Sequence, residues 1–239
     1  MTDAGSWVAL FSGGKDSSFA LYRALEGGLP VDRLLTVHPT GDSYMYHVPA
    51  TELATLAAES IGIPSVSVTP AAFGDAADDS GRRGDAEVEP LEAALVELDD
   101  EIVGGLAGVV AGAVESEYQT SRIEALCDRL DCDLYAPLWQ EDPRTLGEKM
   151  LAAGFEILII QVAAAGLDDS WLGRPLDESA LDELGDLNAE YGVHLLGEGG
   201  EFETMVVDGP HMERRIDLEY ETEWDGTRGR ILVTDATLR

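Results

Sequence analysis

Apolar and polar positions in the first half of the chain alternate between short unbroken runs and helical stripes. Val8 to Phe11 form a compact apolar run that stops at Gly13-Gly14, as a buried strand would. Ala20, Leu21, Ala24 and Leu25 then recur at helical spacing until Gly27-Gly28, the expected stop signal. The alternation continues with a strand over 32–38, and a helix over 51–62 carrying Leu53, Leu56, Ala57 and Ile61 on one face. A strand over 65–69 follows, then a helix over 88–102 and a strand over 106–113. The next helix starts at Ser116, where Gln119 completes a capping box, and buries Ile123, Leu126, Cys127 and Leu130. A strand over 133–137 closes the series. Regular β/α alternation predicts an α/β fold with a doubly wound parallel sheet and ligands at the carboxyl ends of its strands. Phe11 and Ala111 end two of those strands, so the loops at 12–17 and 112–117 are expected to face one crevice.

The pattern changes near residue 138. Asp142 caps a helix with Pro143 in its first turn, and a strong strand covers 155–164. A polar loop (166–177), a helix (178–191) and the stretch HLLGEGGEFETMVVDGP (194–210) follow. The tail alternates through Ile216, Leu218, Tyr220 and Trp224, with Asp225-Gly226 as the turn of an antiparallel hairpin. The expected organisation is therefore two domains, 1–138 with the parallel sheet and 139–239 as a smaller α+β unit.

Charge alters the picture of the surface. The chain of 239 residues has 47 acids against 15 bases, a net charge of −32, and its only lysines are Lys15 and Lys149. Such a field repels nucleic acid, so no nucleic-acid partner is expected. It suits a high-salt cytoplasm, where screening relieves self-repulsion. Residues 75–101 hold eleven acids, and the part DAADDSGRRGD (75–85) reads as a mobile, solvated surface loop. No apolar run approaches the length of a membrane span. Cys127 and Cys132 show no metal-binding spacing and read as small buried thiols in a reducing cytoplasm.

Against this background, a lysine in the loop after the first strand stands out. Ser12-Gly13-Gly14-Lys15-Asp16-Ser17 combines a bare backbone turn, hydroxyl donors and one cation at a helix N-terminus. Free amides and the helix dipole favour an anion there. The pattern is neither a P-loop, because Asp16 follows Gly14-Lys15, nor a dinucleotide fingerprint. It resembles the pyrophosphate loop of N-type ATP pyrophosphatases, which cleave ATP between the α and β phosphates and leave an adenylated substrate.

A second constellation is GEGGEFET, with Glu198, Glu201 and Glu203 among glycines and apolar neighbours. Glu201 and Glu203 lie two apart, so a strand would aim both at one face. Such a cluster can bind Mg²⁺ or an ammonium group, or take a proton from an amine; a solvated surface loop is the competing reading. Trp171 in a polar loop is either a core anchor or a stacking surface. His47, in SYMYH, is either structural or a partner for adenine.

Five ordered blocks, LFSGGKDSSFALYRAL, SYMYHVPATELATLAAESIGIP, VVAGAVESEYQTSRIEALCDRLDCDLYAPLW, GLDDSWLGRPLDESALDELGDLN and VHLLGEGGEFETMVVDGP, resemble the archaeal diphthine–ammonia ligases. The resemblance implies ATP-dependent amidation, with ammonium, of the carboxylate of diphthine. This is a modified histidine of translation elongation factor 2, whose side chain also carries a trimethylammonium group. The route would be an acyl-adenylate, with AMP and pyrophosphate released. It implies that Ser12, Gly13, Gly14, Lys15, Asp16 and Ser17 hold phosphates, with Mg²⁺ at Asp16. Gly112, Ala113 and His47 would meet adenine. Glu198, Glu201 and Glu203 would serve ammonium or substrate, with Tyr44 or Trp171 receiving the trimethylammonium group. Catalytic work would fall to Lys15, Asp16, Glu201 and Glu203, with the glutamates acting apart from nucleotide binding, in the other domain. A homodimer is one arrangement open to it. An adenylating enzyme acting on tRNA and a non-catalytic ATP sensor share the first domain and remain alternatives.

Overall fold

The computed structural model describes residues 5–37, 50–68 and 80–239. Five parallel strands, β1 (Ser6–Leu10), β2 (Val31–Val37), β3 (Ser65–Val68), β4 (Leu106–Val110) and β5 (Asp133–Tyr135), form one sheet in the order β3-β2-β1-β4-β5. The helices between them are α1 (Lys15–Glu26), α2 (Ala50–Ile61), α3 (Ser80–Glu101) and α4 (Glu117–Leu130). The chain leaves β1 in one direction and returns on the other side at β4. The crevice between the ends of these two strands is therefore the switch point where α/β sheets bind ligands.

Side chains alternate across the sheet as the period of a strand demands. Val8, Leu35 and Val109 face α3 and α4, where Leu91, Leu95, Leu98 and Leu126 cover them. Ala9, Leu34 and Val110 face the other way, toward α1, α2 and the second half of the chain. Cys127 is buried on the first side, and burial pushes its thiol up to about 12, so it stays protonated and inert.

Helix α3 begins at Ser80, eight residues before the expected start and within the stretch read as a surface loop. Its first two turns mix helix formers, Arg82, Arg83, Ala86 and Glu87, with Gly81 and Gly84, which disfavour helix, and carry no apolar stripe. Hydrophobic periodicity therefore could not register them.

The second half contains α5 (Pro143–Ala152), α6 (Glu178–Tyr191) and an antiparallel sheet of β6 (Glu156–Val162), β7 (Phe202–Asp208), β8 (Ile216–Trp224) and β9 (Gly229–Leu238), in the order β7-β6-β9-β8. Asp142 caps α5 by accepting the Thr145 amide at 2.9 Å, as its position before Pro143 predicts. The hairpin β8–β9 turns at Asp225-Gly226, where Asp225 accepts the amides of Thr227 and Arg228 and Gly226 has φ +98°.

The two sheets share one apolar core. Phe19 of α1 meets Phe155 edge-on at 5.3 Å, and Phe155 stacks on His211 at 5.1 Å. Ile157, Ile159, Val206 and Ile231 belong to the same buried cluster as Ala9 and Leu34. The second sheet is thus packed onto α1 and α2, which fixes β7 against the loop that follows β1.

Candidate active site

The loop after β1 is built from its own hydroxyls. Ser17 Oγ donates to the Gly14 carbonyl at 3.1 Å and accepts the Ser12 amide at 3.2 Å, while Ser12 Oγ lies 3.1 Å from it. Gly13 has φ +81° and its missing side chain would meet nothing within 4 Å, so its backbone is bare. Gly14 caps α1 without a side-chain acceptor, leaving the helix end to attract an anion.

This loop does not stand alone. The Val206 amide donates to the Gly13 carbonyl at 2.9 Å, and the Lys15 amide donates to Thr204 Oγ1 at 3.3 Å. Both partners lie on β7, directly after the acidic stretch. Lys15 is 4% exposed, with Nζ 2.7 Å from Asp16 Oδ2 and 3.8 Å from Glu198 Oε1. Of the three glutamates, Glu198 is thus brought beside Lys15 and Asp16 of the loop, although the two segments are far apart in sequence. The cause is the common core, which seats β7 on the loop.

Burial, with the negative charge of Asp16, pushes Glu198 up to about 7, against the opposing pull of Lys15. Asp16 keeps Oδ2 on Lys15, while its Oδ1 is buried without a hydrogen-bond partner. Gly112 meets the loop from the β4 side. A Cβ there would lie 2.7 Å from Asp16 C and Ser17 N, so a glycine is needed for this close packing on the start of α1. Ala113 sits half-buried beside it.

Glu201 and Glu203 do not share a strand face. Strand β7 begins at Phe202, and Glu201 folds back into its own loop. There its two oxygens accept the amides of His194 at 3.1 Å and Gly199 at 2.8 Å. Glu203 pairs across the strands with Gln161, whose Nε2 lies 3.4 Å from Oε1. Its side chain opens to solvent, yet the protein around the carboxyl still desolvates it and pushes its pKa up.

Trp171 is 5% exposed and packs in the core with the Arg174 guanidinium 4.4 Å above its ring. It is the core anchor of its loop, buried rather than presented as an open stacking surface. Tyr44 and His47 lie outside the described residues. Sequence reasoning missed Thr204, His194 and Glu115. His194 Nδ1 accepts the amides of Leu196 and Glu198, and its Nε2 lies 3.4 Å from Glu115 Oε2. The position of His194 at the head of the glycine-rich stretch was the one available signal. Among the described residues no group of three or more His, Cys, Asp or Glu could hold a metal by itself.

Chemically, the site offers a donor-rich loop at a helix start, a buried cation, a carboxylate with one free buried oxygen, and a second carboxylate that titrates near neutrality. The first three suit a phosphate chain, and the last suits a proton acceptor.

Comparison with known proteins adds the chemistry of relatives. Residues 5–133 match a family model described as the diphthamide synthase N-terminal domain, and residues 142–238 match one described as its C-terminal domain. The chain is 36% identical over 222 residues to a diphthine–ammonia ligase of Danio rerio, covering 89% of this chain and 86% of the relative. It is 37% identical over 225 residues to that of Rattus norvegicus (87% and 81% covered). The human counterpart is 35% identical over 224 residues, with 87% and 81% covered. A solved structure described as a predicted subunit of tRNA methyltransferase from Methanocaldococcus jannaschii matches at 20% identity and a TM-score of 0.38. It covers 77% of this chain and 87% of that one, and is too distant to bear on function.

Proposed function

The chain belongs to the diphthamide synthase family, and we propose the following division of labour for its activity as a diphthine–ammonia ligase. The enzyme amidates the diphthine carboxylate of elongation factor 2 with ammonia at the expense of ATP, the last step of diphthamide synthesis. One observation supports the residue roles above all: Lys15 Nζ lies 3.8 Å from Glu198 Oε1. The lysine of the phosphate loop and the first glutamate of the acidic stretch therefore act on the same few ångströms.

A carboxylate cannot expel oxide when ammonia attacks, so it is first activated. The diphthine carboxylate oxygen bonds to the α-phosphorus of ATP as the bond to the β-phosphate oxygen breaks, giving an acyl-adenylate and pyrophosphate. Ser12, Gly13, Gly14 and Ser17 hold the departing pyrophosphate, and Lys15 neutralises the charge growing on it. Asp16 fits a Mg²⁺ ion, because its buried Oδ1 has no other partner and Mg²⁺ takes one or two carboxylates together with phosphates. That ion would supply charge neutralisation on the triphosphate. Glu198 accepts a proton from ammonium, for which a pKa near 7 is suited. The resulting ammonia attacks the acyl carbon, AMP leaves with the electron pair of the broken acyl–oxygen bond, and the attached nitrogen releases its extra proton to solvent to leave the neutral amide. Glu201 holds the loop that carries Glu198, and Glu203 meets the substrate side chain at the open end of β7. Residues 1–138 form the ATP-binding domain in this scheme, and 139–239 complete the site.

The test is the nucleotide product. Incubation with ATP, ammonium and elongation factor 2 bearing diphthine should yield AMP, pyrophosphate and diphthamide. ADP and phosphate in their place would overturn the scheme.

A further inference from the structure

The scheme leaves His194 without a task, although its ring lies at the centre of the acidic loop. Besides its own backbone turns, two side chains accept amides in that loop. The Glu201 carboxylate takes the amides of His194 and Gly199. The His194 ring takes two others on Nδ1, from Leu196 at 3.1 Å and Glu198 at 3.4 Å. A ring nitrogen that accepts amides carries no proton, so the neutral ring holds its proton on Nε2. Nε2 is buried and closes no hydrogen bond. The carboxylate of Glu115 stands 3.4 Å from it.

Glu115 belongs to the stretch between β4 and α4, the same stretch whose Gly112 packs on the start of α1. Its side chain is half exposed. The imidazole therefore joins two parts of the site: the glutamate-bearing loop of the second half, and the β4 side of the nucleotide crevice in the first. We propose that His194 is a positioning residue for amidation, its Nδ1 fixing the backbone that presents Glu198 and its Nε2 latching that loop to Glu115. This proposal rests on the ligase reading.

Asparagine separates the two arms of the ring. Its side-chain oxygen takes the place of Nδ1 but is too short to reach Glu115. The measurements are amide formation on elongation factor 2, ATP affinity, melting temperature and hydrogen exchange in His194→Ala, His194→Asn, Glu115→Ala and the double variant H194N/E115A. His194→Ala should keep wild-type ATP affinity and lose about tenfold or more in kcat, because a displaced reacting group costs rate before it costs binding. His194→Asn should recover most of that loss. Glu115→Ala and His194→Asn should each lose the same residual part, and the double variant no more than either, since both remove one link.

A wild-type rate in His194→Ala overturns the proposal. So does a His194→Asn no faster than His194→Ala when both melt like the wild type. Losses that multiply in the double variant overturn the Glu115 arm. If His194→Ala does not fold, the other three variants still decide.

Exchange of the Leu196 and Glu198 amides does not depend on the ligase reading. It should accelerate in His194→Ala and return toward wild type in His194→Asn. Unchanged protection overturns the Nδ1 arm even if no amide is ever formed, whereas a wild-type protein that forms no amide counts against the ligase reading alone.

Discussion

Replacing Glu198 by Gln should make the protein more stable above neutral pH while abolishing amidation. Glu198 sits 20% exposed between Asp16 and Lys15, and burial with the neighbouring negative charge raises its pKa from 4.5 to about 7. The folded protein therefore holds a proton that the unfolded chain has released between those two values. Stability contributed by that proton is present at low pH and is lost as pH rises toward 7. At 1.36 kcal/mol per pKa unit, the charged carboxylate costs the fold about 3 kcal/mol at pH 8 and under about 1 kcal/mol at pH 5. Glutamine keeps the shape and cannot ionise. Lys15 is not orphaned by the change, because Asp16 Oδ2 remains 2.7 Å away. Other shifted groups, such as Glu203 and His211, are present in both proteins and cancel in the comparison. In a chain of this size the gain corresponds to a rise in melting temperature of about 5–10 °C at pH 8. Paired melting curves at pH 8 and pH 5 read the effect directly. Amidation by the wild type should climb with pH to a plateau above 7, a limb absent from the variant. A variant that melts below the wild type at pH 8, or by the same margin at both pH values, would refute the argument.

Three further outcomes follow from the same geometry. Lys15→Ala should lose on the order of 2–4 kcal/mol of transition-state stabilisation, read as kcat/KM in the amidation assay with the fold checked by circular dichroism. Gly112→Ala places a Cβ 2.7 Å from the backbone of Asp16 and Ser17; it should cost about 1–3 kcal/mol of stability and weaken ATP binding, measured by calorimetry. Glu201→Gln turns one of the two oxygens that accept the His194 and Gly199 amides into an NH₂ donor and should cost about 1–2 kcal/mol, with ATP affinity kept and amidation slowed; a silent variant would make Glu201 an ordinary surface acid.

The parallel sheet was legible because its strands and helices carry the two hydrophobic periods cleanly. Val8, Ala9, Phe11, Ala20, Leu21 and Ala24 are buried where spacing assigns the core, with Leu10 and Leu25 partly buried against it. The caps at Asp142 and the turn at Asp225-Gly226 were legible because each depends on a few adjacent residues. The start of α3 was not, because a helix without an apolar stripe leaves no period to read. Trp171 was ambiguous for a related reason. A polar loop shows what surrounds a residue along the chain, and Arg174 over its ring is visible only in space. The pairing of Gly13 and Lys15 with Val206 and Thr204 is likewise a contact between distant segments, fixed by the shared core and by no local pattern.

The acidic stretch carries the sharpest lesson, because its three glutamates look alike in sequence and part company in the fold. In a protein with 47 acids a carboxylate is uninformative by itself. What separates the three is where their oxygens go. Glu201 spends both on amides of its own loop, which is structural work. Glu203 leans on Gln161 at the open end of a strand. Glu198 alone is carried into the space beside Lys15 and Asp16, where desolvation keeps it half-protonated near neutrality. A carboxylate that is costly to ionise is poor at supporting the fold and well suited to accepting a proton. The glycines around it permit the loop to bend that far, with Gly197 at φ +72° and Gly200 at φ +82°. Glutamate 201 then locks the bend. The composition that hides the residue thus places no limit on its chemistry: the surface acids set the protein's charge, and the one withdrawn from water sets its reactivity.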